Sequence, residues 1–197
     1  MLTNIDNFLL LHMAGKYMYP GAIVPHGLFF FAIICAKWLT YFIPLHLLWL
    51  SINWLTSSST IAAEGCRFRR LVSPLVAKIL LSIGIALLLS FLFGCFYHRP
   101  RPFVVYPDIA LLLHTASPSF PSDHATIWAA YCYMLYKNQQ CKKDSYNIVY
   151  VAIALALLTC WGRIFVGIHY PFDILGGAIL GLFCAFAVDK FVPCSNK

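Results

Sequence analysis

Apolar residues fall along this chain in long unbroken blocks, without the period-two or three-and-four spacing of an element that faces water on one side. A helix crossing a bilayer takes roughly 20 mainly apolar residues. About five such runs occur, near residues 27–54, 72–97, 121–137, 146–167 and 171–192. The expected fold is therefore all-α: a polytopic membrane helix bundle of about five transmembrane helices forming a single domain over residues 1–197. A short N-terminal interfacial helix should precede it, in "MLTNIDNFLLLHMAGK", where Asp6 and no basic residue stand ahead of the apolar stretch, unlike a cleaved secretory signal. The nearest thing to a linker is "TSSSTIAAEGCRFRR", residues 56–70, and no repeat or low-complexity tract suggests a second, soluble domain.

Composition supports a bilayer as the solvent, with 61% apolar residues, 11% charged residues and a mean hydropathy of +0.77. A net charge of +7 could suit nucleic acid, but its distribution over the loops reads instead as membrane orientation, with no nucleic-acid partner. Five spans collect Arg67, Arg69, Arg70, Lys137, Lys142, Lys143, Lys190 and Lys197 on one side, expected to be cytoplasmic. The opposite side receives Lys16, Arg99, Arg101 and Arg163, and the N-terminus should face outward with them. Cys35, Cys95, Cys132, Cys160 and Cys184 lie inside apolar runs and no CxxC pair occurs, so they read as packing residues, not disulfides or metal ligands.

Three polar clusters interrupt the apolar runs: "FYHRPRPF" at 96–103, "SFPSDHAT" at 119–126 and "WGRIFVGIHYPFD" at 161–173. Alternate threading delivers all three to the outward face, because Ser145 to Arg163 rises roughly 27 Å as a helix. The shared site would hold the guanidiniums of Arg101 and Arg163, with Arg99 as a further candidate, the Ser122 hydroxyl, the imidazoles of His124 and His169, and the Asp173 carboxylate. Guanidinium forks match phosphoryl oxygens in pairs. Pro121 at a first helical position would leave the N–H groups of Ser122, Asp123 and His124 for an anion. Pro171 suits a first helical turn, from which Asp173 should bond back to His169, fix its tautomer and leave the other ring nitrogen nucleophilic.

In these stretches the chain resembles the phosphatidic acid phosphatase type 2 superfamily, whose signature reads KxxxxxxRP, PSGH and SRxxxxxHxxxD. Arg101 and Pro102 fit the first motif, Pro121, Ser122 and His124 the second, and Arg163, His169 and Asp173 the third. The resemblance implies His169 as the nucleophile that forms a phosphohistidine, Asp173 as its orienting partner, and His124 as the acid toward the leaving oxygen and then the base toward water. Arg101, Ser122 and Arg163 would hold the phosphate, with no metal and no cofactor. Three positions depart from the signature: Gly94 stands where the lysine should, Gly162 replaces the serine and Asp123 the glycine. "RPRPF", "SFPSDHA" and "GRIFVGIHYPFDILGG" are similar to the undecaprenyl-diphosphatase branch. That branch implies hydrolysis of a polyprenyl diphosphate at the outer face of a bacterial plasma membrane, recycling of the cell-wall lipid carrier, and bacitracin resistance. The partners implied are the lipid substrate and membrane lipids, with no obligate protein partner. Phosphatidylglycerophosphate, phosphatidic acid and lipid A phosphatases and a lipid phosphotransferase share the same catalytic set. A noncatalytic lipid carrier or flippase is a reading of a different class, and it has no need of two histidines.

Several residues keep two readings. A cation within a span costs about 2.5–3.5 kcal/mol, so Lys37, in "FFFAIICAKWLTYF", either enters the site in place of the lysine lost at Gly94 or snorkels to the outer interface. Arg99 meets lipid headgroups or substrate. Asp123 favours its helix dipole or tunes His124, and Ser122 could serve as a helix cap. His98 and His114 flank the outer loop, while His12, His26 and His46 lie outside any motif and read as structural.

Overall fold

Proline opens three of the helices, as a residue with fixed φ and no N–H should: Pro74 begins α4 (Pro74–Phe96), Pro102 the short α5 (Pro102–Val105) and Pro171 α8 (Pro171–Phe191). The remaining helices are α1 (Leu2–Met13), α2 (His26–Ile33), α3 (Phe42–Ser58), α6 (Asp123–Lys142) and α7 (Asn147–Phe165). The computed structural model describes residues 2–15, 24–58, 73–109, 111–112, 115, 117–142 and 146–192. Lys16, Arg67, Arg69, Arg70, His114, Lys143, Ser145, Lys197 and linker residues 59–70 lie outside the described residues, as does the side chain of Lys142.

Five long helical segments stand close to the five expected runs. Helices α2 and α3 form one rod, joined by a π turn (Ile34–Trp38) and a 3-10 turn (Leu39–Tyr41). Among the described residues, four segments are long and apolar enough to cross a membrane: His26–Thr56, Pro74–Phe96, Asn147–Phe165 and Pro171–Phe191. Helix α6, the short run of the sequence reading, is long enough at 20 residues but too polar to qualify. It packs against α4, α7 and α8, which leaves Asn138 and Gln139 partly buried, while Asp123 and Gln140 near its ends are exposed. Trp128, Tyr131, Met134 and Leu135 of α6 form the centre of the main core, with Ile43, Ile79, Val149 and Val188 around them. The periphery reverses the pattern of a soluble protein. Phe30, Leu45, Trp49, Leu88, Phe91, Leu157 and Phe183 are exposed, a surface suited to acyl chains.

Helices α6 and α8 run in the same direction with backbones in contact. A Cβ on Gly177 would lie 2.4 Å from the Ser122 carbonyl oxygen, and one on Gly181 would lie 2.2 Å from that of Thr126. Only small residues permit this approach, and it sets the two N-termini side by side. At the opposite end Lys78 of α4 pairs with Asp189 of α8 at 3.3 Å, and Lys137 of α6 stands 3.9 Å from the same carboxylate. Thus α4 runs against α6 and α8, as alternate threading required. Helix α1 docks at the N-terminal end of α8, where Leu10 and Ala14 pack with Ile109, Ile164 and Tyr170.

Two of the histidines outside the motifs make local contacts. His46 stacks between Phe42 and Trp49 and its Nδ1 meets the Tyr131 hydroxyl, while His12 Nδ1–H donates to the Phe8 carbonyl at 2.8 Å. Cys35, Cys95, Cys132, Cys160 and Cys184 are free.

The α6–α8 seam is open to test by thermal denaturation in detergent. Gly181→Ala should lower the midpoint by an amount equivalent to about 1–3 kcal/mol, because the new Cβ meets backbone. Gly84→Ala, whose Cβ would have nothing within 4 Å, should leave the midpoint unchanged or raise it, since alanine is the better helix former.

Candidate active site

Where α6 and α8 begin, the Ser122 N–H donates to the Asp173 carbonyl at 3.0 Å. Helix α6 starts at Asp123 and the Phe120–Pro121 peptide is cis. Pro121 is therefore not the first helical residue, and the Ser122 N–H is already bonded to protein; both points correct the sequence reading. His124 lies in the first turn, half-buried at the same end as His169. Asp123 is exposed and its Oδ1 accepts from the Ser90 hydroxyl of α4 at 2.5 Å, so it links two helices.

His169 stands two residues ahead of α8 and is fully enclosed. Its Nδ1 faces the Ser119 carbonyl oxygen at 3.0 Å. That oxygen can only accept, so Nδ1 carries the proton and Nε2 keeps the lone pair. Nη1 of Arg101 and Nη2 of Arg163 each donate toward this lone pair at 3.2 Å. Asp173 does not bond the imidazole as the sequence suggested, since its Oδ2 is 3.6 Å from Nδ1. At the third position of α8 the carboxylate is drawn to the helix start: Oδ2 accepts the Tyr170 N–H at 2.9 Å and the Ser119 hydroxyl. Asp173 thus holds Ser119, and the carbonyl of Ser119 holds His169.

Both arginines are anchored from behind. Arg101 Nε and Nη2 donate to the carbonyl and hydroxyl of Ser117 at 3.0 and 2.9 Å, and Nη1 reaches the Ile168 carbonyl at 3.4 Å. Arg163 Nη1 donates at 3.0 Å to the Ala36 carbonyl, within the π turn of the rod. Gly162 makes that bond geometrically accessible, because a Cβ there would lie 2.7 Å from Ala36 N. Two polar atoms of the cluster, Ser122 Oγ and Arg163 Nε, are buried without a hydrogen-bond partner. Buried donors left unpaired are rare enough to require an explanation. Gly94 is buried near Pro118, 3.5 Å from where its Cβ would lie, and adds no charge.

Other candidates fall elsewhere. Lys37 is exposed on the rod, its ammonium 5.9 Å from the Trp38 ring centroid, and does not replace the missing lysine. Arg99 is tied to protein: Nη1 donates to Asp173 Oδ1 at 2.8 Å, Nη2 to Asp6 Oδ2 at 2.6 Å, and the guanidinium covers the Tyr170 ring at 3.8 Å. His98 is exposed. Sequence reasoning missed Ser117, Ser119, Asp6 and the Ala36 carbonyl. Ser119 lay inside a quoted motif, and Asp6 was visible as a carboxylate in an apolar N-terminal stretch; nothing local marked the backbone acceptor.

The electrostatics follow from this packing. Burial, reinforced by the Arg163 and Arg101 guanidiniums and opposed by Asp173, pushes His169 down to about 3. The imidazole is therefore neutral at physiological pH with its lone pair available. Burial also lowers Arg101, partly offset by Asp123 and Asp173. For Arg99 burial is outweighed by the carboxylates of Asp173 and Asp6, which hold it above the usual guanidinium value.

The family model of the PAP2 superfamily matches residues 75–196, which carry Arg99, Arg101, Arg163, His169 and Asp173. The chain belongs to the PAP2 superfamily. Among PAP2 relatives, it is 37% identical to the undecaprenyl-diphosphatase BcrC of Bacillus subtilis over 55% of this chain and 53% of that one. It is 27% identical to the bacitracin transport permease protein BcrC of Bacillus licheniformis over 96% of this chain and 81% of that one. It spans about half the length of the first curated relatives it matches. The PAP2 fold recurs in the transmembrane PAP2 type phosphatidylglycerolphosphate phosphatase of Bacillus subtilis, with a TM-score of 0.69, 20% identity and coverage of 100% and 88% of the two chains. Aquifex aeolicus LpxE gives 0.64, 23% identity, and 92% and 93% coverage. With its apolar helices, this PAP2 chain is a multi-pass membrane protein.

The lowered His169 value has a consequence for stability. The unfolded imidazole takes up a proton near its ordinary value of about 6.5, whereas the folded one does so only near 3. Between these values the unfolded state binds more protons, so stability should fall as the pH drops from 6.5 toward 4, by at most about 1.4 kcal/mol per pH unit. Thermal midpoints in detergent should show this decline, and His169→Gln should flatten it.

Proposed function

We propose that the cluster around His169 transfers a phosphoryl group from a lipid diphosphate to water, by way of a phosphohistidine and without a metal. The observation that carries this reading is the Nε2 lone pair set between two anchored guanidiniums, beside the unpaired Ser122 Oγ and Arg163 Nε. A terminal phosphoryl group entering there takes up the arginine donors that now point at Nε2. The nitrogen then faces phosphorus.

In the first step the Nε2–P bond forms as the bond from phosphorus to the bridging oxygen breaks, and His124 donates a proton to the departing lipid monophosphate. In the second, His124 takes a proton from water, the water oxygen bonds to phosphorus, and the N–P bond breaks to release inorganic phosphate. Arg101, Arg163 and Ser122 donate to the non-bridging oxygens throughout, fixed complementarity of the kind that contributes most where charge develops. The positive charge that His169 gains on phosphorylation is met by the Ser119 carbonyl and, behind it, Asp173.

The substrate we favour is undecaprenyl diphosphate, cleaved to the monophosphate on the outer face of a bacterial plasma membrane, with recycling of the cell-wall carrier and bacitracin resistance as the physiological result. Support comes from the names of the relatives above and from a second undecaprenyl-diphosphatase, the putative YbjG of Escherichia coli, 32% identical over 55% of this chain. Lys78, Lys137 and Lys190 gather at the end remote from His169, which supports an outward site by the positive-inside rule. A glycerolipid phosphatase is the second reading, favoured by 37% identity over 92 residues to phosphatidylglycerophosphatase B of Bacillus subtilis.

The test is phosphate release by one purified preparation, in EDTA, from undecaprenyl diphosphate, phosphatidic acid and phosphatidylglycerophosphate. Turnover should be fastest on the diphosphate. His124→Ala should lower kcat about 10²–10⁴-fold, and His169→Ala should abolish both turnover and the acid-labile phosphoenzyme. Preference for a glycerolipid would move the assignment to the second reading. Full activity in His169→Ala would overturn the chemistry, and absence of hydrolysis with bound lipid diphosphate would favour a carrier.

A further inference from the structure

The N-terminal helix supplies one residue to the neighbourhood of the site, and its geometry is unusual for an anchoring helix. Asp6 is fully buried. Its Oδ1 accepts the Phe172 N–H of α8 at 3.0 Å, and its Oδ2 accepts Arg99 Nη2 at 2.6 Å. A carboxylate from α1 thus caps α8 from outside, meeting one of the N–H groups that the helix start leaves without an intrahelical acceptor. Arg99 continues the chain of contacts, its other nitrogen on Asp173 Oδ1 at 2.8 Å and its plane against the Tyr170 ring. Asp173 in turn holds Ser119, whose carbonyl holds His169 Nδ1.

We infer that Asp6 and Arg99 are positioning residues for phosphoryl transfer, fixing Asp173 from the side remote from the imidazole so that Ser119 and the His169 tautomer stay in register. The inference rests on His169 being the nucleophile proposed above. Without the Arg99 fork, Asp173 keeps only contacts on Oδ2 and can rotate about its Cβ–Cγ bond. Arg99 also neutralises one of two carboxylates that would otherwise stand close together with a single cation missing. Lysine should replace it poorly, because its single ammonium lacks the two separate Nη groups that reach Asp173 and Asp6 at once. The charged groups facing His169 itself are Arg101 from the loop after α4, Arg163 from α7 and Asp173 from α8. Neither Asp6 nor Arg99 touches the ring, so neither is a catalytic residue.

The experiment compares Asp6→Asn, Arg99→Lys, the double variant and His169→Ala in the full-length chain, in detergent, with undecaprenyl diphosphate. Kinetics are read beside thermal midpoints and the ¹⁵N signals of labelled histidine, with His169 assigned from His169→Ala. Each single variant should lose roughly tenfold or more in kcat, as changes to groups that orient an active residue do, while KM moves less than about twofold, since the phosphate-holding arginines are untouched. The double variant should be little worse than Arg99→Lys alone, because both act along one path. The His169 signals should change from a single Nδ1–H tautomer toward a mixture. Unchanged kcat, losses that multiply, or a kcat loss matched by the loss of folded protein with the tautomer signals intact would each overturn the inference. Asp6→Asn keeps an oxygen for the Phe172 N–H, so it tests the Asp6–Arg99 ion pair even if Arg99→Lys folds poorly. Wild-type turnover that survives His169→Ala would overturn the proposed chemistry instead, a result distinct from active wild type, inactive His169→Ala and normal positioning variants.

Discussion

Two parallel helices must begin at the same depth, within backbone contact of each other, for anything at this site to work. Gly177 and Gly181 of α8 face the carbonyls of Ser122 and Thr126 on α6 at distances that leave no room for a side chain. Bringing two helix N-termini together concentrates partial positive charge and unpaired N–H groups. The chain meets that local excess with two carboxylates, Asp173 on the Tyr170 N–H and Asp6 on the Phe172 N–H, and with the Asp173 backbone carbonyl on the Ser122 N–H. The arginines and His169 are then arranged around a framework whose own polar groups are largely satisfied. What stays unpaired there is Ser122 Oγ and Arg163 Nε.

The long helices and the convergence of three polar clusters were legible because both depend on quantities a sequence carries directly: run length, and the parity of crossings. Arg101, Ser122, Arg163, His169 and Asp173 meet as the spacing required. The contacts of Asp173 were misread for a physical reason. A carboxylate four residues after a histidine is in reach of it, but the same carboxylate at the third position of a helix is also in reach of the N–H groups just before it, and the helix start took precedence. Ser119 then became the intermediary, which no spacing rule could reveal.

Helix α6 shows a second limit. Its apolar run is short in the sequence and ends at 137, whereas the helix continues through Asn138, Gln139 and Gln140 to Lys142 and is held in the bundle by its packing against α4, α7 and α8. The lysine absent at Gly94 tempted a substitute at Lys37, which faces outward from the rod. Asp6 was seen only as a reason against a signal sequence. Its partner lies 93 positions away, and a contact of that separation leaves no periodic trace.

The Arg163 guanidinium is tied to a main-chain oxygen of Ala36, in a π turn whose i→i+5 pattern interrupts the regular aim of the carbonyls along the rod. An anchor made of backbone has no side chain to delete. Scanning mutagenesis that trims residues to alanine would pass over position 36 without registering it, since alanine is already there. The rod would then look like mere lipid-facing scaffold in such a scan, although its π turn holds one of the two guanidiniums beside the imidazole.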